Sequence, residues 1–218
     1  MLADTIAAIA TGAGVAAVGV VRLGGPDAVE IADRLFRSRS GVRLCEAESH
    51  KMLYGMLVDS PNRILDHALV VVMRGPRSYT GDDVVEFHCH GSPVVLRAVL
   101  GALITAGARA AGPGEFTKRA FVNGKLDLVQ VEAVSDLLYA RSERAGALAA
   151  RQVEGALSQR VMAMRQGLLS FLAHVHASID YPDEVPELAP TAWMEQLRDV
   201  LEEIRSLLAE ARLGIRVR

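Results

Sequence analysis

Three charged positions have the chemistry to meet a ligand, and each has a plainer reading beside it. Glu86, His88 and His90 alternate along one apolar run, so they share one face of a strand. A carboxylate there can accept from two adjacent donors of a planar ring, giving two-point recognition. It is costly to bury alone, so it can equally pair with Arg22 or another arginine as a structural ion pair. Arg22 ends an apolar strand with Gly24-Gly25 behind it. Its planar fork suits carboxylates or an aromatic ring; otherwise it is simply the first solvated residue of the strand. Lys125 follows Asn123-Gly124 at a turn between two helices. There it is either a point charge for an anion or an exposed turn lysine. Two histidines and a carboxylate are also a ligand type for iron or zinc. Side chains two apart on one strand do not converge on one ion unaided, and Cys89 faces the other way. No metal site and no catalytic residue is expected.

The elements that must position these residues divide the chain into two parts. Up to about residue 118, strands and helices mix. Thr5–Ala10, Val15–Leu23, Met52–Val58, Ile64–Met73 and Asp83–His90 read as strands, rich in β-branched and apolar residues and bounded by turn formers. Asp59-Ser60-Pro61-Asn62 is turn chemistry. A helix follows Gly25-Pro26-Asp27, and another follows Ser92-Pro93 and runs to about Ala106. Residues 37–50 read as a loop. The fold class is therefore α+β for this part, and 119–218 reads as long helices. Apolar residues recur from Val153 through Leu157, Val161, Met164, Leu168, Leu172 and Val175 to Ile179 in steps of three and four. Tyr181-Pro182 ends that helix, and Thr191–Leu213 forms another. A stripe this long must face something, either further helices or a partner subunit.

Between the two parts lies Pro113-Gly-Glu-Phe-Thr-Lys-Arg-Ala-Phe-Val-Asn-Gly-Lys-Leu-Asp-Leu-Val-Gln-Val-Glu-Ala-Val134, which holds two of the chain's three lysines. It resembles the Pro-Gly-Glu-Phe…Lys-x-Asp-Leu-x-Gln-x-Glu-Ala signature of the MnmE family of tRNA modification GTPases. Three other stretches resemble the same family in the same order: Gly14–Gly24, Ser78–Glu86 with His90-Gly91 following, and Ile179-Asp-Tyr-Pro-Asp-Glu184. Several motifs in register over nearly the whole chain are far more specific than one short match.

The resemblance implies a mixed-sheet tetrahydrofolate-binding and dimerisation domain over 1–118, followed by the first part of an all-helical domain over 119–218. It implies that Arg22, Glu86 and Lys125 contact 5-formyltetrahydrofolate or a related reduced folate, with Glu86 on the amino and N–H edge of the pterin. It implies a homodimer that works with the flavoprotein MnmG on the wobble uridine of tRNA, with GTP, potassium and magnesium handled by a GTPase domain. A further lysine and a cysteine motif at the family's C-terminus have no counterpart here. Two other readings stand beside it, a free-standing folate-dependent one-carbon transferase and a ligand-free dimerisation scaffold.

Composition bounds the rest. The 218 residues suffice for one large or two modest domains, and half of them are apolar. A net charge of −2 argues against a chain devoted to coating nucleic acid. Two cysteines are too few for a disulfide framework, which points to a reducing, cytoplasmic setting. The apolar run 6–21 is short, broken by Gly12 and Gly14 and preceded by Asp4, so no membrane or targeting segment is expected. There is no Gly-x-x-x-x-Gly-Lys-Ser/Thr: Gly124-Lys125 is followed by Leu126, and Arg119 stands where the first loop glycine belongs. These residues are therefore not expected to hydrolyse GTP, and the chain looks like one lacking its GTPase domain and C-terminus.

Overall fold

A computed structural model describes residues 4–60, 63–184 and 190–215. They divide into two compact units, with the division between Val131 and Glu132. The first unit is built on a seven-stranded sheet: β1 (Ile6–Ile9), β2 (Ala16–Gly24), β3 (Phe36–Ser38), β4 (Met52–Ser60), β5 (Arg63–Met73), β6 (Val84–Gly91) and β7 (Arg109–Ala110). The spatial order is β3-β4-β5-β6-β2-β1-β7, antiparallel throughout except for the parallel pair β1–β7. The sheet is thus mixed, as the sequence suggested. β3 and β7, however, lie in stretches that carry no strand signal of their own. Part of the turn expected at 59–62 lies outside the described residues.

One face of the sheet carries the core. Val21 and Leu23 of β2, Val70 and Val72 of β5, and Val85 and Phe87 of β6 are fully buried there. They pack with Ala28, Ile31, Ala32 and Leu35 of α1 (Ala28–Leu35) and with Leu96, Val99 and Leu103 of α2 (Pro93–Thr105). Gly19 lets α2 approach the sheet: a Cβ there would sit 2.5 Å from Leu96 Cδ1. The opposite residues of the same strands turn to a face that these helices leave open. Met52, Tyr54 and Met56 of β4 and Leu69 of β5 are exposed on it, as are Val18 and His90. Alternation alone explains why Arg22, Glu86 and His88 stand on that side.

The unit closes with α3 (Glu115–Val122), a turn at Asn123-Gly124 with Gly124 at φ 70°, and the start of α4 (Leu128–Leu138). Asp127 and Gln130 cap α4 reciprocally, each side chain accepting from the other's backbone N–H at 2.9 Å. The domain boundary expected near 118 falls inside α3. The helix belongs with the sheet because Arg119, with 1% of its side chain exposed, donates to the Asp4 carbonyl at 2.7 Å and to Asp4 Oδ1 at 2.8 Å.

In the second unit, α5 (Glu143–Val153), α6 (Ala156–Asp180) and α7 (Pro190–Ile215) follow. The helical stretch from 127 to 180 is interrupted twice, where the sequence showed no strong breaker. Ser142 caps α5, its hydroxyl accepting from Ala145 N at 3.2 Å. Gly155 takes a left-handed φ of 86° and restarts the chain as α6. Arg160 of α6 donates to Glu210 of α7 at 2.9 Å and to Glu203 at 2.5 Å, and Phe171 meets Trp193 at 6.0 Å between ring centres. The apolar stripe of α6 stays largely open: Val161, Leu168, Leu172 and Ile179 are all exposed. None of the described helices is long and apolar enough to cross a membrane.

Candidate functional site

The β2–β6 ladder pairs Arg22 with Glu86 as direct neighbours. Their side chains meet on the open face: Arg22 Nε lies 2.8 Å, and one terminal nitrogen 2.7 Å, from Glu86 Oε1. Both donors fall on the same oxygen, so the carboxylate is gripped at one corner. Side-chain exposure is 27% for Arg22 and 17% for Glu86, so water screens the pair only in part.

Two rings flank the guanidinium. Its carbon lies 5.5 Å from the ring centre of Tyr79 and 5.5 Å from that of Phe116, within cation–π range of both. Tyr79 belongs to the loop between β5 and β6, and its hydroxyl meets the Thr117 hydroxyl at 2.9 Å. Phe116 belongs to α3 and reaches β2 because Gly24 has no side chain; a Cβ there would lie 3.0 Å from Phe116 Cε1.

Lys125 does not touch the Arg22–Glu86 pair. Its ammonium donates to the Pro76 carbonyl at 3.0 Å, at the near end of the same loop that carries Tyr79. Asn123 adds a second tie, donating to the Thr80 carbonyl at 2.7 Å and to Asp82 Oδ2 at 3.1 Å. Gly81, at φ +84°, lets the loop pass beneath that turn: a Cβ there would meet Asn123 Cβ and Lys125 Cγ at 3.3 Å. The structure therefore joins two of the expected site residues directly and links the third through one loop.

The remaining strand-borne groups take different partners. The His90 ring binds Asp66 at 2.7 Å, and the Asp66 carboxylate also accepts from His90 N. His88 Nε2 stands 3.4 Å from Glu86 Oε2. Cys89 points into the core, and burial pushes its thiol up to about 12. Tyr79, Phe116, Thr117 and Asn123 were not singled out as site residues by the sequence, although they lie within the motifs that carry the resemblance.

An ion network holds α3 in place behind the site. Arg109 donates to Asp4 Oδ2 at 2.6 Å and to Glu115 Oε1 at 2.6 Å, and Glu115 also accepts from Gly112 N at 2.7 Å. The Arg109 hydrogen bond, with help from Gly112 N and Arg119, holds the Glu115 carboxyl down at about 2. The same arginine is the main cause lowering Asp4.

Two open clefts, of about 360 and 520 Å³, border α1 and the α1–α2 side of the unit. The first is lined by Asp33, Arg43, Cys45 and Arg74 among others, and neither includes Arg22, Glu86 or Lys125. Their cations are already matched, Arg43 with Asp33 and Arg34 with Glu30. The Arg22–Glu86 pair instead sits on the sheet face opposite α1 and α2, with Tyr79 and Phe116 beside it.

Comparison with known proteins matches residues 5–125 to the family described as GTP-binding protein TrmE N-terminus, and residues 128–218 to the MnmE helical domain. The chain is 49% identical over 214 residues to the tRNA modification GTPase MnmE of Geobacillus kaustophilus, an alignment covering 97% of this chain and 46% of the relative. For the tRNA modification GTPase MnmE of Bacillus subtilis the identity is 45% over 214 residues, covering 97% and 47%. That of Symbiobacterium thermophilum is 46% identical over 218 residues, covering 97% and 46%. The chain thus spans about half the length of the curated relatives it matches.

Proposed function

The chain belongs to the MnmE family of tRNA modification GTPases, matching its TrmE N-terminal and helical regions, and on that premise we propose that it binds a reduced folate at Arg22, Glu86 and Lys125. The ligand is 5-formyltetrahydrofolate or a close relative. The observation that carries this reading is the placement of Arg22 between Tyr79 and Phe116, on Glu86, with Lys125 fastened to the same loop.

Each residue then has a role. Glu86 accepts from the amino group and adjacent N–H of the pterin edge, a match between planar donors and a carboxylate. Arg22 turns to the anionic tail or stacks on an aromatic ring of the ligand. Lys125 supplies a compact positive charge. The protein pairs with itself through the open sheet face, where Met52, Tyr54, Met56 and Leu69 offer apolar area, and the second copy covers the ligand. In the complete cytoplasmic protein this part serves a GTP-driven complex with MnmG that modifies the wobble uridine of tRNA at C5. GTP, potassium and magnesium belong to a GTPase domain, and the residues of this chain hydrolyse no GTP.

Titration calorimetry with 5-formyltetrahydrofolate tests the assignment. Arg22→Ala and Glu86→Ala should each weaken binding by roughly tenfold or more, as loss of a charged hydrogen bond does. Wild-type affinity in both variants would remove the site. One observation favours the ligand-free scaffold instead: Arg22 and Glu86 already satisfy each other. That reading predicts no heat of folate binding, together with an intact dimer by sedimentation.

A further inference from the structure

Glu86 has a basic neighbour at each oxygen, and only one of them is bonded. Oε1 takes two Arg22 donors, while Oε2 faces His88 Nε2 at 3.4 Å without a hydrogen bond. That nitrogen is buried and has no hydrogen-bond partner among the described residues. A buried polar atom left unbonded is costly and calls for an explanation.

A second arrangement follows from the site itself. While Arg22 and Glu86 are paired, neither can be offered in full to a ligand. Releasing Arg22 to a ligand's anionic or aromatic end would strand a carboxylate that is only 17% exposed. Such a group needs a new fixed partner. His88 lies two residues along β6 on the same face, opposite Leu69 of β5 and Val20 of β2. The nearby Asp66 carboxylate is already held by His90, so it does not draw the His88 ring away.

We propose that His88 is a positioning residue for Glu86: when Arg22 lets go, the carboxylate settles onto the His88 Nε2–H. A carboxylate has about four lone-pair sites, so Oε2 can accept from His88 and still join Oε1 in gripping two donors of a planar ring. Ligand entry thus exchanges one anchor of Glu86 for another instead of leaving it loose. The inference rests on the folate reading for the identity of the ligand alone.

Two measurements on the full chain test it. In folate titrations, His88→Leu should weaken binding by roughly tenfold. His88→Gln, whose amide nitrogen can donate from a similar place, should recover most of that loss. Without any ligand, Arg22→Ala mimics the released state. In its imidazole ¹⁵N–¹H spectrum the His88 Nε2–H should appear as a slowly exchanging, hydrogen-bonded proton, and Arg22→Ala/Glu86→Ala should lose it. A fast-exchanging Nε2–H in Arg22→Ala overturns the proposal, as does wild-type affinity in His88→Leu. If the wild-type chain does not bind the folate, the ligand assignment fails separately, and the Arg22→Ala spectrum alone decides for or against His88.

Discussion

Arg22 and Glu86, opposite each other on β2 and β6, share a single carboxylate oxygen, with Arg22 Nε at 2.8 Å and a terminal nitrogen at 2.7 Å. The pair is partly shielded from water and flanked by two rings, so each member depends on the other. Removing one alone leaves a partly buried charge without its partner. Arg22→Ala and Glu86→Ala should each destabilise the protein by about 1–2 kcal/mol, whereas the double variant should cost clearly less than their sum. Urea unfolding of the four proteins measures this coupling; strict additivity would mean that the pair contributes nothing jointly.

Acid should loosen the first unit through the network behind α3. Glu115 falls from its ordinary 4.5 to about 2, chiefly through the Arg109 hydrogen bond, and Asp4 is lowered by the same arginine. A carboxylate with a depressed folded-state value contributes stability that is complete above its unfolded value. That contribution is lost as pH falls through the folded value. Thermal midpoints should therefore drop between about pH 4.5 and 2 in the wild type. Glu115→Gln should start lower and show a flatter profile in that window; identical slopes would count against the network.

The two cysteines should differ sharply in reactivity. Cys45 is exposed, whereas Cys89 is buried with its thiol pushed up to about 12. Thiolate is the reactive form. Ellman's reagent at pH 8 should modify Cys45 in the native protein and reach Cys89 only as the chain unfolds. Two fast-reacting thiols in the folded state would contradict the packing of β6.

Gly81→Ala should act on the site through its loop. The φ of +84° is strained for any residue with a Cβ, and that atom would press on Asn123 and Lys125 at 3.3 Å. Left-handed backbone costs a non-glycine residue about 1–2 kcal/mol. The variant should lose about that much stability. It should also bind 5-formyltetrahydrofolate more weakly, because Lys125 is displaced from Pro76. Unchanged affinity on calorimetry would show that Lys125 does not need this loop.

Much of the scaffold was legible because local rules set it. Apolar, β-branched runs bounded by turn formers marked the strands that bear Arg22 and Glu86, and Asn123-Gly124 marked the turn that bears Lys125. The short strands β3 and β7 were not legible, since three and two residues carry no periodicity and pair only because a longer neighbour is there. The breaks before α5 and α6 were missed for the opposite reason. Gly155 and Ser142 are tolerable inside a helix, and only the backbone shows that each begins a new one. At the site, the sequence left open whether Glu86 faces Arg22, and alternation alone names no partner across a ladder. The flanking of Arg22 by Tyr79 and Phe116 joins a loop and a helix remote in the chain, so spacing gave no hint of it. Lys125 bonding the Pro76 carbonyl is likewise a consequence of tertiary closure.

The bond from Arg119 to Asp4 spans 115 positions, and β1 pairs with β7 only once Arg109 and Ala110 exist. β1 can pair with β2 early, but Asp4 and the outer edge of β1 must wait until β7 and α3 have cleared the exit tunnel. Chaperone contact during that interval should centre on β1, and a nascent chain stalled before Arg119 should remain protease-sensitive along that edge.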